Sequence, residues 1–313
     1  MQKEKILVLM GGSSAEREVS LRSGQAVLNA LLALDYEARA IDYNSTAIKE
    51  IIDYRPDLVF IALHGKYGED GTVQGLLESL DLPYTGSGVA ASAICINKVL
   101  SKRIFNSEGI PNAGFKIIHQ SELNNPEEIL NLLRLDICLP MVIKAATQGS
   151  SIGTYIIRNE AEVLAAIRNA FNYSHEVLVE EFIDGQELTV AVIGNDELQV
   201  LPLIEITSAN EFYDYESKYT QGMCQHIIPA RIGEESQAEI IRISKQVYKL
   251  MDCRGFARID FMLDKNARPY VLEVNTIPGM TEMSLVPDAA RAAGINFTSL
   301  VEMIVRLGLE SQS

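Results

Sequence analysis

Strand-like and helical runs alternate from the start of the chain: KILVLM, an amphipathic segment through VLNALLAL, EARAID, a short helix, then DLVFIAL. This alternation constrains the fold more than any other feature. Parallel strands need a crossover between them, and each amphipathic helix needs a sheet face on which to bury its apolar stripe, so the pattern predicts a parallel sheet flanked by helices. Glycine-rich turns, GGSS and HGKYGEDG, follow the first and third strands. In an open α/β sheet ligands bind beyond the carboxyl ends of strands, so both loops are candidates to line one crevice. The first is not G-x-G-x-x-G, and no dinucleotide fingerprint exists there.

After LPYTGSG the texture changes. One long helix, VAASAICINKVLSKRIFNSEG, leads to IPNAGFKII, a helix near PEEILNLL, and the strands PMVIKAA and IGTYIIR joined by TQGSS. A helix EAEVLAAIRNAF and a strand EVLVEEFI complete a small α+β unit. From Gly185 strands dominate: ELTVAVIG, LQVLPLIEI and HIIPAR, then a helix EIIRISKQVYKLM and the paired strands ARIDFML and PYVLEVN. The helices DAARAAG and LVEMIVRLGL close the sequence. The expected fold class is therefore α/β and α+β, divided as residues 1–100, 101–184 and 185–313. SANEFYDYESKYTQGM interrupts the strands; it is too polar for a core element and long enough to be a lid.

A length of 313 residues suits two or three domains, and 47% hydrophobic content can fill their cores. With 27 basic against 42 acidic residues the net charge is −15 and no Lys/Arg run occurs, so nucleic acid is excluded as a partner. Apolar stretches such as VAASAICI fall short of the roughly 20 residues of a membrane span. MQKEKILVLMGG lacks a signal core, so a cytoplasmic protein is expected. Cys95, Cys138, Cys224 and Cys253 are far apart, which suggests neither zinc nor a disulfide framework but buried free thiols.

In YVLEVNTIPGM, Glu273 and Asn275 stand two apart in a strand and share one face. Arg258 and Asp260 repeat this spacing in the preceding strand, and the short DKNAR connection makes a hairpin, so Asp260, Glu273 and Asn275 can converge. Such an all-oxygen patch suits Mg²⁺ or Mn²⁺ held against substrate phosphates; a solvated hairpin face is the competing reading. TQGSSIG places Gly149, Ser150 and Gly153 where backbone N–H groups can cradle phosphate, or where a plain hairpin turn lies. Lys98 and Lys144 fall at junctions that could grip phosphate, although snorkelling surface lysines fit equally. Glu180, Phe182, Ile183 and Glu187 form a strand end and turn that could face an adenine and its ribose, or simply water. Ser13 and Glu16 have capping-box spacing, so Glu16 either caps a helix or anchors an ammonium. His64 either serves the crevice or bonds its own loop.

Taken together, GGSSAEREVSLRSG, ALHGKYGEDGTVQGLLE, LPYTGSG, GSSIG, FYDYESKY, ARIDF and EVNTIPGMTEMSLVP resemble, in order and over nearly the whole chain, the D-alanine:D-alanine ligases of the ATP-grasp superfamily. The resemblance implies a Rossmann-like N-terminal domain followed by a two-lobed ATP-grasp fold, and an ATP-dependent synthesis of D-alanyl-D-alanine through a D-alanyl phosphate for cell-wall precursors. It implies that Asp260, Glu273 and Asn275 bind two Mg²⁺, and that Lys98, Lys144 and Lys218 touch phosphate. Glu180, Phe182, Ile183 and Glu187 would touch adenine and ribose. Glu16, beside His64, would hold the first D-alanine; Arg258, Gly279, Ser284 and Leu285 would serve the second. Tyr219 in the lid would bond Ser150, which reaches Glu16, and the enzyme would be a homodimer. Two positions depart from the family's pattern: Ala145 replaces a usual Pro and Gln148 a usual Glu, which bears on loop closure. The rival readings are a D-alanine:D-lactate ligase, which often lacks the tyrosine matched by Tyr219, and a non-catalytic ATP-binding protein on the same scaffold.

Overall fold

The computed structural model describes residues 4–208 and 224–310. Its first unit follows the alternation in the sequence. Strands β1 (Lys5–Met10), β2 (Glu37–Asp42) and β3 (Leu58–Ile61), linked by helices α1 (Arg17–Ala33) and α2 (Ala47–Tyr54), form a parallel sheet in the order β2-β1-β3. Ile6 to Leu9 are 0% exposed, as expected for a parallel strand covered on both faces. HGKYGEDG runs into α3 (Thr72–Ser79).

The long helix expected after it is instead two helices, α4 (Val89–Ile96) and α5 (Lys98–Ser107). Asn97 leaves the helical region at φ −91°, ψ 97°, and its side chain accepts the N–H groups of Val99 and Leu100. The new N-terminus is thereby capped, and Lys98 becomes the first residue of a fresh helix.

The second unit contains β4 (Phe115–His119), α6 (Pro126–Asp136), β5 (Met141–Ala145), β6 (Thr154–Ile157), α7 (Glu160–Ala170) and β7 (Glu176–Glu181), with an antiparallel sheet ordered β4-β7-β5-β6. Ile118, Ile143, Ile167, Val177 and Val179 fill its own core. The third unit carries β8 (Gly185–Ile193), β9 (Gln199–Val200), β10 (Ile204–Ser208), β11 (Cys224–Ile227), α8 (Glu234–Leu250), β12 (Phe256–Asp264) and β13 (Pro269–Asn275). Its main sheet runs β11-β10-β8-β12-β13, with β9 paired to β8. LQVLPLIEI is thus two short strands around Leu201–Leu203 rather than one, and β11 stops at Ile227, ahead of Pro229, which has no N–H to offer a ladder.

Helices α9 (Leu285–Ala292) and α10 (Phe297–Glu310) return to the first sheet. One core joins Ile6, Val27, Leu31 and Phe60 to Ala191, Phe256, Leu300 and Ile304, so the parallel sheet and the last strands are locked together. Gly308 permits this, since a Cβ there would stand 3.0 Å from Leu58 and 3.2 Å from the Tyr84 carbonyl. Cys95 and Cys253 are buried, but Cys138 is exposed and Cys224 only half-buried, against the expectation of four buried thiols; none forms a disulfide. Among the described residues no single helix is long and apolar enough to cross a membrane.

Candidate active site

The hairpin β12–β13 pairs Arg258 with Asn275 and Asp260 with Glu273. Four polar side chains therefore share one face in a square. The register slips between Asp260 and Phe261, whose partner is Val271, so Leu272 is the extra residue of a bulge beside Glu273. That bulge lets the strand carry its apolar residues inward while presenting Glu273 and Asn275 together. Asp260 is the best-held member, only 8% exposed. Thr189 on β8 donates to its Oδ1 (2.6 Å), Asn275 Nδ2 to its Oδ2 (3.1 Å), and Arg258 to both oxygens (2.9 and 2.8 Å).

Glu273 reaches the rest of the molecule through Lys98, whose Nζ lies 3.0 Å away. The same Nζ donates to the Gln148 carbonyl at 2.7 Å, and the Lys98 N–H to Ala146 O at 2.9 Å. The helix break at Asn97 thus ties the hairpin to the loop 146–153. In that loop Ser150 and Ser151 adopt left-handed φ of 51° and 59°, and Gly153 71°. Positive φ at both central residues, with the Ile152 N–H donating to the Gly149 carbonyl at 3.1 Å, is the geometry of a type I′ turn, the hairpin reading of this loop. The loop is pinned at its base, where Gln148 Nε2 donates to the Tyr173 carbonyl (2.9 Å), and Ala145 is buried.

Ser150 Oγ donates to Glu16 Oε1, and Gly149 is packed so close that a Cβ would lie 3.1 Å from Glu16 Oε2. The capping-box alternative for Glu16 is therefore incorrect. α1 begins at Arg17, Glu16 is itself the N-cap residue, and its side chain makes no cap bond. The reason lies upstream, where Gly11 and Gly12 at φ 78° and 77° turn the chain and Arg17 grips Asp42 and the Gly12 carbonyl. His64 does not bond only within its loop; its Nε2 lies 3.3 Å from Ser23 Oγ, and burial lowers its pKa, keeping the ring neutral.

A cavity of about 750 Å³ unites Glu16, His64, Lys98, Ser150, Arg258, Glu273, Asn275, Gly279, Ser284 and Leu285. Ser284 precedes α9, and its Oγ takes the Thr281 N–H at 3.0 Å. Gly279 leaves Ser284 its place, since a Cβ there would stand 2.9 Å from Ser284 Oγ and displace that hydroxyl. The first N–H groups of α9 lack intrahelical acceptors and suit a carboxylate.

Lys144, Glu180, Phe182, Ile183 and Glu187 do not line that cavity. Glu180 is not solvated; it is 1% exposed and sits between Lys102 (2.7 Å) and Lys144 (2.5 Å). Lys102, itself 1% exposed, carries no signal in the sequence beyond its helical position. Burial works against the charge on Glu180, but the two lysines override it and hold the carboxyl at about 2. One carboxylate cannot fully compensate two cations. Against burial, Lys144 is raised, while burial wins at Lys102 and lowers it. Phe182 and Ile183, half-buried, follow β7, with Arg158 5.7 Å from the Phe182 ring; Glu187 lies on β8 opposite Ile206 and Met262. A folded-state pKa below the ordinary 4.5 adds stability above pH 4.5 that is lost as pH falls towards 2. Urea unfolding across this window should show the loss in the wild type and a flatter profile in Glu180→Gln. At neutral pH that variant should be destabilised by about 3–5 kcal/mol, because it leaves buried lysines unpaired.

Glu69, which the sequence does not single out, lies in the same cavity at 9% exposure, accepting the Gly65 N–H at 2.7 Å. Burial first, then the nearby Glu16 charge, push its carboxyl to about 8, so it is protonated at neutral pH. The sign is opposite to that of Glu180. Its contribution to stability is full below pH 4.5 and is lost as pH rises through about 8. Glu69→Gln should therefore be more stable than the wild type above pH 8 in thermal melts, and a melting curve that falls in parallel with the wild type across pH 6–9 would contradict this.

Lys218 and Tyr219, with the rest of the expected lid, lie outside the described residues.

Two antiparallel sheets beside a small parallel domain, with lysines and carboxylates converging between them, make this an ATP-grasp protein. Family profiles described as D-ala D-ala ligase C-terminus and D-ala D-ala ligase N-terminus match residues 104–306 and 44–87. The chain is 50% identical to a D-alanine--D-alanine ligase of Pelotomaculum thermopropionicum over 311 residues, covering 98% of this chain and 97% of that one. It is likewise 50% identical to that of Moorella thermoacetica, covering 98% and 99%. Among solved structures, the D-alanine--D-alanine ligase of Bacillus anthracis complexed with ATP superposes with a TM-score of 0.85 at 34% identity, covering 98% of both chains. The D-Ala:D-Ser ligase of Enterococcus faecalis gives 0.84 at 32%, covering 98% and 100%. The chain belongs to the D-alanine–D-alanine ligase family.

Proposed function

We propose that the chain is an ADP-forming ligase that joins two D-alanines, acting in the cytoplasm as a homodimer and supplying a precursor of the cell wall. The division at residues 100 and 184 is our proposal for its domains, matching the three sheets. The observation that carries the reading is the single cavity in which Glu16 and Ser150, from the parallel domain and the loop, face Arg258, Glu273, Gly279 and Ser284 from the third unit.

Glu16 would hold the ammonium of the first D-alanine, with His64 beside it, leaving its carboxylate free to attack the γ-phosphorus of ATP. Lys98 and Lys144 would neutralise the phosphates, with the neighbourhood of Glu180, Phe182, Ile183 and Glu187 receiving the nucleoside; Lys218 and Tyr219 are proposed for the same site. Phosphoryl transfer relies on positioning and charge neutralisation more than on covalent chemistry. Asp260, Glu273 and the Asn275 amide form a hard oxygen set that fits Mg²⁺ or Mn²⁺, although among the described residues no three His, Cys, Asp or Glu side chains cluster as a metal site. Two such ions would supply charge neutralisation along the triphosphate. Leu285 N–H and Ser284 would take the second D-alanine's carboxylate. Arg258 and the Gly279 N–H would stabilise the oxyanion as the amine adds to the D-alanyl phosphate.

Full-length relatives at 50% identity carry the D-alanine--D-alanine name, which favours dipeptide over ester formation. Phosphate release across a panel of D- and L-amino acids tests the reading. D-alanine alone should support it; release only with added D-lactate, or ATP binding with no turnover, would sink it.

A further inference from the structure

On the cavity wall, β11 meets the first turn of α9. His226 Nδ1 lies 2.6 Å from Asp288 Oδ2, and the two side chains are 15% and 12% exposed. The other oxygen of Asp288 accepts from Arg291 at 2.7 Å, and Arg291 donates in turn to the Glu282 carbonyl at 2.9 Å. Asp288 is therefore fixed from both sides. Its N–H bonds the Ser284 carbonyl (3.0 Å), which puts its carboxylate one helical turn from the proposed second-substrate residues. A carboxylate can only accept, so Nδ1 carries the hydrogen, and in the neutral ring Nε2 holds the lone pair. Cys224 Sγ is 4.0 Å from that Nε2, and Cys224, His226 and Asp288 all line the cavity.

We propose that His226, oriented by Asp288, is the general base that deprotonates the amino group of the second amino acid. This rests on the ligase reading above. An amino acid near neutral pH is an ammonium with no lone pair. One N–H bond must break, its proton passing to Nε2 and its electron pair forming the C–N bond to the acyl carbon. The bond from that carbon to the phosphate oxygen then breaks, phosphate leaves with the electron pair, and the nitrogen's second proton goes with it. Glu16 and His64 are engaged elsewhere, with Ser150 and Ser23.

Hydroxylamine separates this role from others, because it is largely a free amine at neutral pH and can trap D-alanyl phosphate without a base. In His226→Gln, kcat for dipeptide should fall about 10²–10⁴-fold, the usual worth of a positioned base. The KM for the second D-alanine should stay within ~3-fold, and D-alanyl hydroxamate formation should match the wild type. Asp288→Asn should show the same split, the double variant should be no worse than His226→Gln alone, and imidazole should restore dipeptide formation in His226→Ala. Equal loss of hydroxamate and dipeptide, or a raised KM with unchanged kcat, would overturn the proposal in favour of a structural or binding role. A wild type that makes both products while His226→Gln is unimpaired would overturn it alone. A wild type that makes neither would overturn the ligase reading and this proposal with it.

Discussion

Glu273→Gln should lower ATP turnover with D-alanine by about 10³-fold or more while leaving the melting temperature within a few degrees. Glu273 stands where the Lys98 ion pair meets the Asp260–Asn275 face. The substitution keeps the shape and one accepting oxygen but turns the other into a donor and removes one negative charge from an oxygen set that has only two carboxylates. Charge stabilisation of a transferring phosphoryl by a bound metal is worth several kcal/mol, and about 4 kcal/mol corresponds to 10³ in rate. Lys98 retains its bond to the Gln148 carbonyl, so the fold has little reason to change. Steady-state ADP release at saturating ATP and Mg²⁺ is the measurement. A rate within tenfold of the wild type would refute the assignment of the hairpin as the metal face.

Arg258→Met should have a large effect on two readouts at once. Arg258 holds both oxygens of Asp260 at 2.9 and 2.8 Å and also faces the cavity. Loss of one oxyanion donor typically costs about 10²–10³ in kcat. Because Asp260 keeps Thr189 and Asn275 as partners, the stability cost should be about 1–3 kcal/mol rather than the full cost of an orphaned buried charge. Arg258→Lys keeps the charge but loses the two-pronged grip, so it should recover stability better than rate. A variant with normal kcat and reduced stability would make Arg258 purely structural.

The parallel sheet was legible because alternating periods leave little freedom, and the polar hairpin because i, i+2 spacing on a strand dictates a common face. The remaining features depend on contacts between distant segments. Glu180 reads as a solvated strand end until Lys102 and Lys144 are brought from other elements to surround it. His226 and Asp288 are 62 residues apart and carry no motif. Glu69 gains its high pKa only through burial beside Glu16. The break at Asn97 lies in an unbroken apolar periodicity; an Asn directly before a second helical run was the available cue. The capping-box spacing of Ser13 and Glu16 misled because the turn at Gly11 and Gly12 moves the helix start past Ser13. The bulge at Leu272 has no signature in sequence at all.

In the proposed reaction D-alanine's own carboxylate is phosphorylated in the cavity before a second molecule displaces the phosphate. Turnover of ATP with D-alanine labelled with ¹⁸O in its carboxylate tests this directly. One ¹⁸O is expected in each phosphate released, matched by one dipeptide. Unlabelled phosphate would mean that ATP is merely hydrolysed, and labelled phosphate without dipeptide that water rather than a second D-alanine takes the acyl group; either result would overturn the reading.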